Sequence, residues 1–235
     1  VHILVTGGAG YVGGILRPSL EAEHDCTFFD LRPVAGAESR TTIGDIADAD
    51  AVRRALEGKD AAIQLVMADP RVRENLVSRS YDVHVKGMHV LLQGAVDVGV
   101  RRVVYASTMS VYDGSARRYY ESEDIPPDAT DVYGLTKRLG EEVCRAFARA
   151  HPSLSIIALR MVLPATAEGW AQMKAAGRDT SYATGPKDLG RLYLAALTLR
   201  EHTGFDALQA CSDLDQKHLN LAKARALLGW EPRDE

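Results

Sequence analysis

Cysteine is scarce: Cys26, Cys144 and Cys211 are the only three in 235 residues, and no two of them form a C-x-x-C pair. A disulfide framework and a structural zinc site both drop out. Positive charge is in slight deficit, with 28 Lys and Arg against 32 Asp and Glu and a formal net charge of −4. Nucleic-acid proteins present a basic domain or stripe, so no nucleic-acid partner is expected. Long apolar runs are missing as well. Nothing approaches the roughly 18 residues that span a bilayer, and no charged-then-apolar segment opens the chain, so the expectation is a cytoplasmic protein without a membrane partner. His84 and His89 lie five apart in a helical stretch and point to different faces, so no metal is expected either.

What is present is ordinary globular material, 46% hydrophobic and 26% charged, which excludes disorder and coiled coil. Apolar β-type runs at 1–5, 26–29, 41–44, 61–66, 102–106 and 155–159 alternate with helical periodicity from 11, at 49–57, at 75–98 and at 131–150, where Asp131 is the expected N-cap. Strands alternating with helices predict an α/β fold of Rossmann type, a doubly wound parallel sheet. Residues 1–160 read as the dinucleotide-binding domain. Residues 161–235 read as a small, reduced substrate-side region, with helices near 168–176, 187–200 and 220–228 and a short strand near 208–211. Pro18 conflicts with the first helix, where it removes a backbone hydrogen bond at a cost of about 3 kcal/mol.

The turn Thr6-Gly7-Gly8-Ala9-Gly10-Tyr11-Val12-Gly13 follows a strand and opens a helix. Gly7 suits the tight turn, Gly10 lets the main chain approach a pyrophosphate, and Gly13 lets helix and strand pack closely. The helix N-terminus then offers N–H groups and a positive dipole end to the phosphates, beside Tyr11 and Val12. Asp30 stands 17 residues after Gly13, near the interval of about 20 expected for an acid that binds the adenosine ribose. A carboxylate there repels a 2′-phosphate, which favours NAD over NADP, although Arg32 offers a cation two residues on. Asp45-Ile46, after the third strand, is placed beside the adenine, with Asp45 accepting from its amino group or serving as a turn residue.

Tyr133 and Lys137 lie four apart on one helical face, and Ser107-Thr108 sits at the end of the fifth strand, where open α/β sheets place their ligands. That trio is chemically coherent. Lys137 is expected to lower the Tyr133 phenol toward neutrality, Tyr133 to exchange a proton with a substrate hydroxyl or carbonyl, and Thr108 to hold the same oxygen.

With YASTMSVY at 105–112, YGLTK at 133–137 and KARALLGWEP at 223–232 added to TGGAGYVG, Asp30 and Asp45-Ile46, the chain resembles the extended short-chain dehydrogenases/reductases of the NAD-dependent epimerase/dehydratase family. The resemblance implies Thr108 rather than Ser107 as the catalytic hydroxyl, Tyr133 as acid/base, and Lys137 also on the nicotinamide ribose. It further implies cofactor contacts at Leu65 and Val66, substrate contacts at Thr108 and Ser110, and a homodimer formed through the helices at 75–98 and 131–150. The sequence departs from the family at Gln64-Leu65-Val66-Met67, at His84 in place of the usual Asn, and in the short segment after Arg160. That brevity leaves little room for a nucleotide-sugar and is similar to the uronate dehydrogenases, whose small acid substrate would need a cationic anchor at Arg160 or Arg178. Arg160 has an alternative as a charge paired within the fold.

The resulting expectation is an NAD-dependent oxidoreductase that transfers a hydride to or from a hydroxyl-bearing carbon of a sugar or sugar acid. The alternatives are a nucleotide-sugar epimerase or dehydratase that recycles its NAD, and a non-catalytic dinucleotide-binding sensor. Met109-Ser110 supplies no carboxylate of the kind dehydration requires, and the Tyr/Lys pair argues against a sensor.

Overall fold

In a computed structural model of the chain, which describes residues 1–114 and 118–233, seven parallel strands form one sheet. They are β1 (His2–Thr6), β2 (Asp25–Asp30), β3 (Thr41–Ile43), β4 (Ala61–Gln64), β5 (Arg102–Thr108), β6 (Ser155–Met161) and β7 (Gly204–Ala210), in the order β3-β2-β1-β4-β5-β6-β7. The order reverses direction between β1 and β4, as in a doubly wound Rossmann sheet. Such a reversal opens a crevice at the carboxyl ends of the strands.

The central strands β1, β4, β5 and β6 are buried on both faces and therefore read as near-continuous apolar runs rather than alternating ones. Ile3, Val5, Val104, Ile157 and Leu159 pack beneath α1 (Tyr11–Glu23) and α7 (Pro186–Thr198). Leu4, Val103, Tyr105 and Ile156 pack beneath α2 (Ala49–Leu56), α4 (Gly87–Val98) and α5 (Val132–Ala150) on the other side. The predicted helix at 75–98 is one helical run in three parts: α3 (Leu76–Tyr81), a π-helical segment Asp82–Lys86, and α4. Asp131 caps α5 as expected, accepting from the amides of Tyr133 and Gly134 at 3.0 Å each.

Strand β5 runs two residues further than the pattern predicts, because Ser107 and Thr108 pair in register with Arg160 and Met161 of β6. Beyond Met161 come α6 (Ala167–Ala175), α7, the full strand β7 and α8 (Ala222–Leu228), with α7 packed on α1. The Pro18 conflict resolves locally. Both Pro18 and Gly14, whose carbonyl loses its donor, are exposed, so water replaces the missing hydrogen bond. Among the described residues no helix is long and apolar enough to cross a membrane.

Candidate active site

The carboxyl ends of β1, β2, β4, β5 and β6 open on a cleft of about 820 Å³. One wall is the glycine turn. Gly7 adopts φ of 79°, and a Cβ there would stand 2.7 Å from the Val66 amide nitrogen, so the turn tolerates no side chain at that position. Gly10 precedes α1 without any side chain claiming the first-turn N–H groups, and Gly10, Tyr11 and Val12 line the cleft. Gly13 lies behind them, packed on Gly8. Gly7→Ala is expected to destabilise the protein by more than about 1 kcal/mol, because Ala must adopt a positive φ where it also meets backbone. Thermal unfolding checks this, and an unchanged midpoint would show that the turn can yield.

The next stretch of wall comes from β2 and β4. The Asp30 carboxylate accepts from the Ala9 amide at 3.0 Å, and the Arg32 guanidinium donates to the Ala9 carbonyl at 2.9 Å. Both residues line the cleft, as do Ile46, Leu65 and Val66. Asp45 does not join them. Although burial draws its pKa up, the Ala47 amide and the Arg79 guanidinium, 2.8 Å away, hold the carboxyl below its ordinary value. Asp45 thus forms an ion pair with Arg79, which lines the cleft, and this pair ties the β3–α2 loop to α3.

At the end of β5, Thr108, Ser110, Tyr133 and Lys137 converge on the cleft. A small residue makes this possible: the site of a Gly134 side chain is already filled by the Ser110 carbonyl, so α5 starts in direct contact with the β5 end. The Thr108 hydroxyl hydrogen-bonds Tyr133 and accepts from the Ser110 amide at 3.1 Å. Lys137 is 2% exposed and donates from Nζ to the Ala106 carbonyl at 2.8 Å.

The electrostatics run opposite to the sequence expectation. Burial raises the Tyr133 phenol above its ordinary pKa and Thr108 opposes the rise, while burial draws Lys137 down to about 7. Solvent exclusion dominates because Lys137 is sealed between α5 and the sheet and Tyr133 is half-buried at the cleft wall. His84, in the π-helical segment, packs its ring edge on Tyr133 at 5.9 Å and places Nδ1 2.8 Å from the Thr136 hydroxyl. Burial, with Lys137 nearby, depresses His84 to about 2, so its ring is neutral.

Arg160 requires a correction. It is 0% exposed, with Nε and Nη2 on the Glu141 carboxylate at 2.9 and 2.6 Å, and Nη1 on the Glu123 carbonyl at 3.1 Å and on the Tyr112 hydroxyl. A guanidinium so committed cannot anchor a substrate carboxylate. Its strand position turns the side chain into the sheet interface rather than the cleft. Arg178 is exposed on the turn that follows α6, four residues before Tyr182, which lines the cleft.

Several lining residues escape the sequence reading: Met67, Asp69 and Arg71 after β4, and the Met161–Pro164 stretch with Tyr182. They carry no motif, and only the return of their loops over the strand ends brings them together. Glu141 also went unread, although 133, 137 and 141 share one helical face. Among the described residues no group of three or more His, Cys, Asp or Glu could hold a metal ion.

Comparison with known proteins agrees with this architecture. The NAD dependent epimerase/dehydratase family is matched by residues 3–179. An NAD-dependent glucose-6-phosphate dehydrogenase of Haloferax volcanii is 25% identical, the alignment covering 99% of this chain and 93% of that protein. An L-arabinose 1-dehydrogenase (NAD(P)(+)) of the same organism is 28% identical over 99% and 96% of the two chains. By contrast, a UDP-glucose 4-epimerase of Neisseria meningitidis serogroup C is 29% identical over 69% of this chain and 52% of its own length. Among solved structures, a short-chain dehydrogenase/reductase superfamily protein of Agrobacterium tumefaciens with bound NAD superposes with TM-score 0.82 at 23% identity, covering 100% and 93% of the chains. The uronate dehydrogenase of A. tumefaciens superposes with TM-score 0.80 at 22% identity, covering 99% and 84%.

Proposed function

The chain belongs to the NAD dependent epimerase/dehydratase family, and from that premise we propose a cytoplasmic, homodimeric oxidoreductase that moves a hydride between NAD and a hydroxyl-bearing carbon of a sugar or sugar acid. The observation that carries the reading is the meeting of Thr108, Tyr133 and Lys137 in the same cleft as the glycine turn and Asp30. The two dehydrogenases aligned over nearly their whole length act, by their names, on sugars. An epimerase of nearly twice the aligned length fits less well.

NAD, when bound, supplies the hydride acceptor. The cleft suits such a group, because side chains are excluded at Gly7 and the first-turn amides of α1 are unclaimed by any cap. Those amides would receive the pyrophosphate, Asp30 the adenosine ribose, and Leu65 and Val66 the apolar flank. Tyr133 exchanges a proton with the substrate oxygen, donating as the phenol when a carbonyl is reduced and accepting as the phenolate, its own proton first lost to solvent, when a hydroxyl is oxidised; Thr108 holds the same substrate oxygen, and Lys137 binds the nicotinamide ribose. Ser110 and the region after Met161 face the substrate, with Arg178 as the cation offered to a carboxylate. The long helices α4 and α5 pair with a second copy.

The test is incubation with NAD and a panel of aldoses and uronic acids, following the absorbance of reduced nicotinamide. Net reduction with one class is expected. NAD binding without reduction by any of them would move the reading to an epimerase or a sensor. Asp30→Ala is further expected to shift the kcat/KM ratio toward NADP by at least ~10-fold, since it removes the like charge facing a 2′-phosphate while Arg32 stays. An unchanged ratio would place cofactor selection elsewhere.

A further inference from the structure

Met161, Val162, Leu163 and Pro164 line the cleft on the β6 side and bring no polar side chain to it, and Tyr182 joins them with a half-buried phenol ring. Tyr182 stands on a stretch stitched to two strand ends. After β6, the Thr184 amide donates to the Leu163 carbonyl at 3.3 Å and the Thr184 hydroxyl to the Val162 carbonyl at 2.7 Å. After β7, the Ser212 amide donates to the Ala183 carbonyl at 2.7 Å. Ala183 and Thr184 are buried, so these bonds are sheltered from water and hold the backbone beside Tyr182 in place.

The ring is braced as well. His218 packs against it edge to face, with centroids 5.1 Å apart and planes at 64°, and His218 Nε2 lies 3.0 Å from the Ser181 hydroxyl. The His218 amide donates to the Asp213 carboxylate at 2.6 Å, and the same buried carboxylate accepts from the Leu219 amide at 3.3 Å. Asp213 thus fixes the turn that carries the imidazole, and the imidazole fixes the phenol. An aromatic ring held on a rigid support in a ligand cleft is a binding surface. A sugar ring is polar at its rim and presents C–H groups on its face, which suits the apolar body of a tyrosine. We propose that Tyr182 is a specificity-determining residue that packs on the C–H face of the sugar substrate, with His218 as the positioning residue behind it. Such a surface selects cyclic sugars over open-chain polyols, because only a closed ring presents several C–H groups on one rigid face. The inference deepens the oxidoreductase reading and takes the sugar substrate from it.

The test uses the sugar that the wild-type protein oxidises fastest. Tyr182→Ala is expected to raise its KM about 5–10-fold with kcat held within about twofold, the size of one aromatic contact that substrate and transition state share. Tyr182→Phe, which keeps the ring, should stay within about twofold of the wild type in both. His218→Ala should raise KM in the same sense, and His218→Phe, which restores a ring edge behind Tyr182, should bring it back. The Kd of NAD, read by calorimetry, should be unchanged throughout, which shows that the variants are folded. An unmoved KM in Tyr182→Ala overturns the proposal. So does a rise in Tyr182→Phe as large as that in Tyr182→Ala, which would assign the effect to the hydroxyl. If the wild-type protein binds NAD and a sugar of the panel but reduces no NAD, the oxidoreductase reading fails. NMR titration of that sugar into the NAD-loaded variants, with the same pattern expected in Kd, then still decides the role of Tyr182.

Discussion

Replacing Tyr133 by phenylalanine is expected to lower turnover by about 10²–10⁴-fold while NAD binding is retained. The ring remains to fill the space beside His84 and the β5 end, so the start of α5 should keep its packing. What disappears is the phenolic oxygen that exchanges the substrate proton, together with the influence of Thr108 on it. Initial rates of nicotinamide reduction, paired with calorimetric titration of NAD, separate the two effects. Loss of turnover and of NAD binding together would mean that the phenol serves the cofactor site instead. Unreduced turnover would remove Tyr133 from the chemistry and favour a different proton acceptor in the cleft.

Replacing Arg160 by methionine is expected to cost about 3–5 kcal/mol of stability, read as a lowered urea midpoint at unchanged m-value. Glu141 is 1% exposed and would lose both of its Arg160 hydrogen bonds, keeping Ser107 as its buried partner. The Glu123 carbonyl would lose a donor as well. A buried carboxylate deprived of its counter-ion is the source of the penalty, so adding Glu141→Gln should restore most of the lost stability. A single variant as stable as the parent would mean that water reaches Glu141 once the guanidinium is gone.

The two variants probe parts of the site that differ in how readily the sequence discloses them. Tyr133, Thr108 and the glycine turn are readable because their chemistry is local: a phenol and an ammonium one helical turn apart, a hydroxyl at a strand end, glycines at a fixed interval. Arg160 is ambiguous in one dimension, since a strand-end arginine suits a substrate anchor and an internal ion pair equally. Burial between β6 and α5 decides the matter, and it depends on the β5–β6 register that sets Arg160 beside Ser107. The sign of the Tyr133 and Lys137 shifts follows the same rule. Spacing reveals that the two groups are neighbours on α5, whereas solvent exclusion, which only packing creates, pulls Lys137 toward neutrality and raises Tyr133.

By itself the amino-acid sequence determined the doubly wound sheet, the glycine turn after β1 and the placing of Tyr133 and Lys137 on one helical face, because each rests on periodicity or on short-range geometry that a chain carries with it. Tertiary structure alone decided the far wall of the cleft, the ion pair between Asp45 and Arg79, and the sealing of Arg160 against Glu141. Those features join residues from separate strands and helices, and their energies depend on how much water remains between the partners once the sheet and its helices have closed.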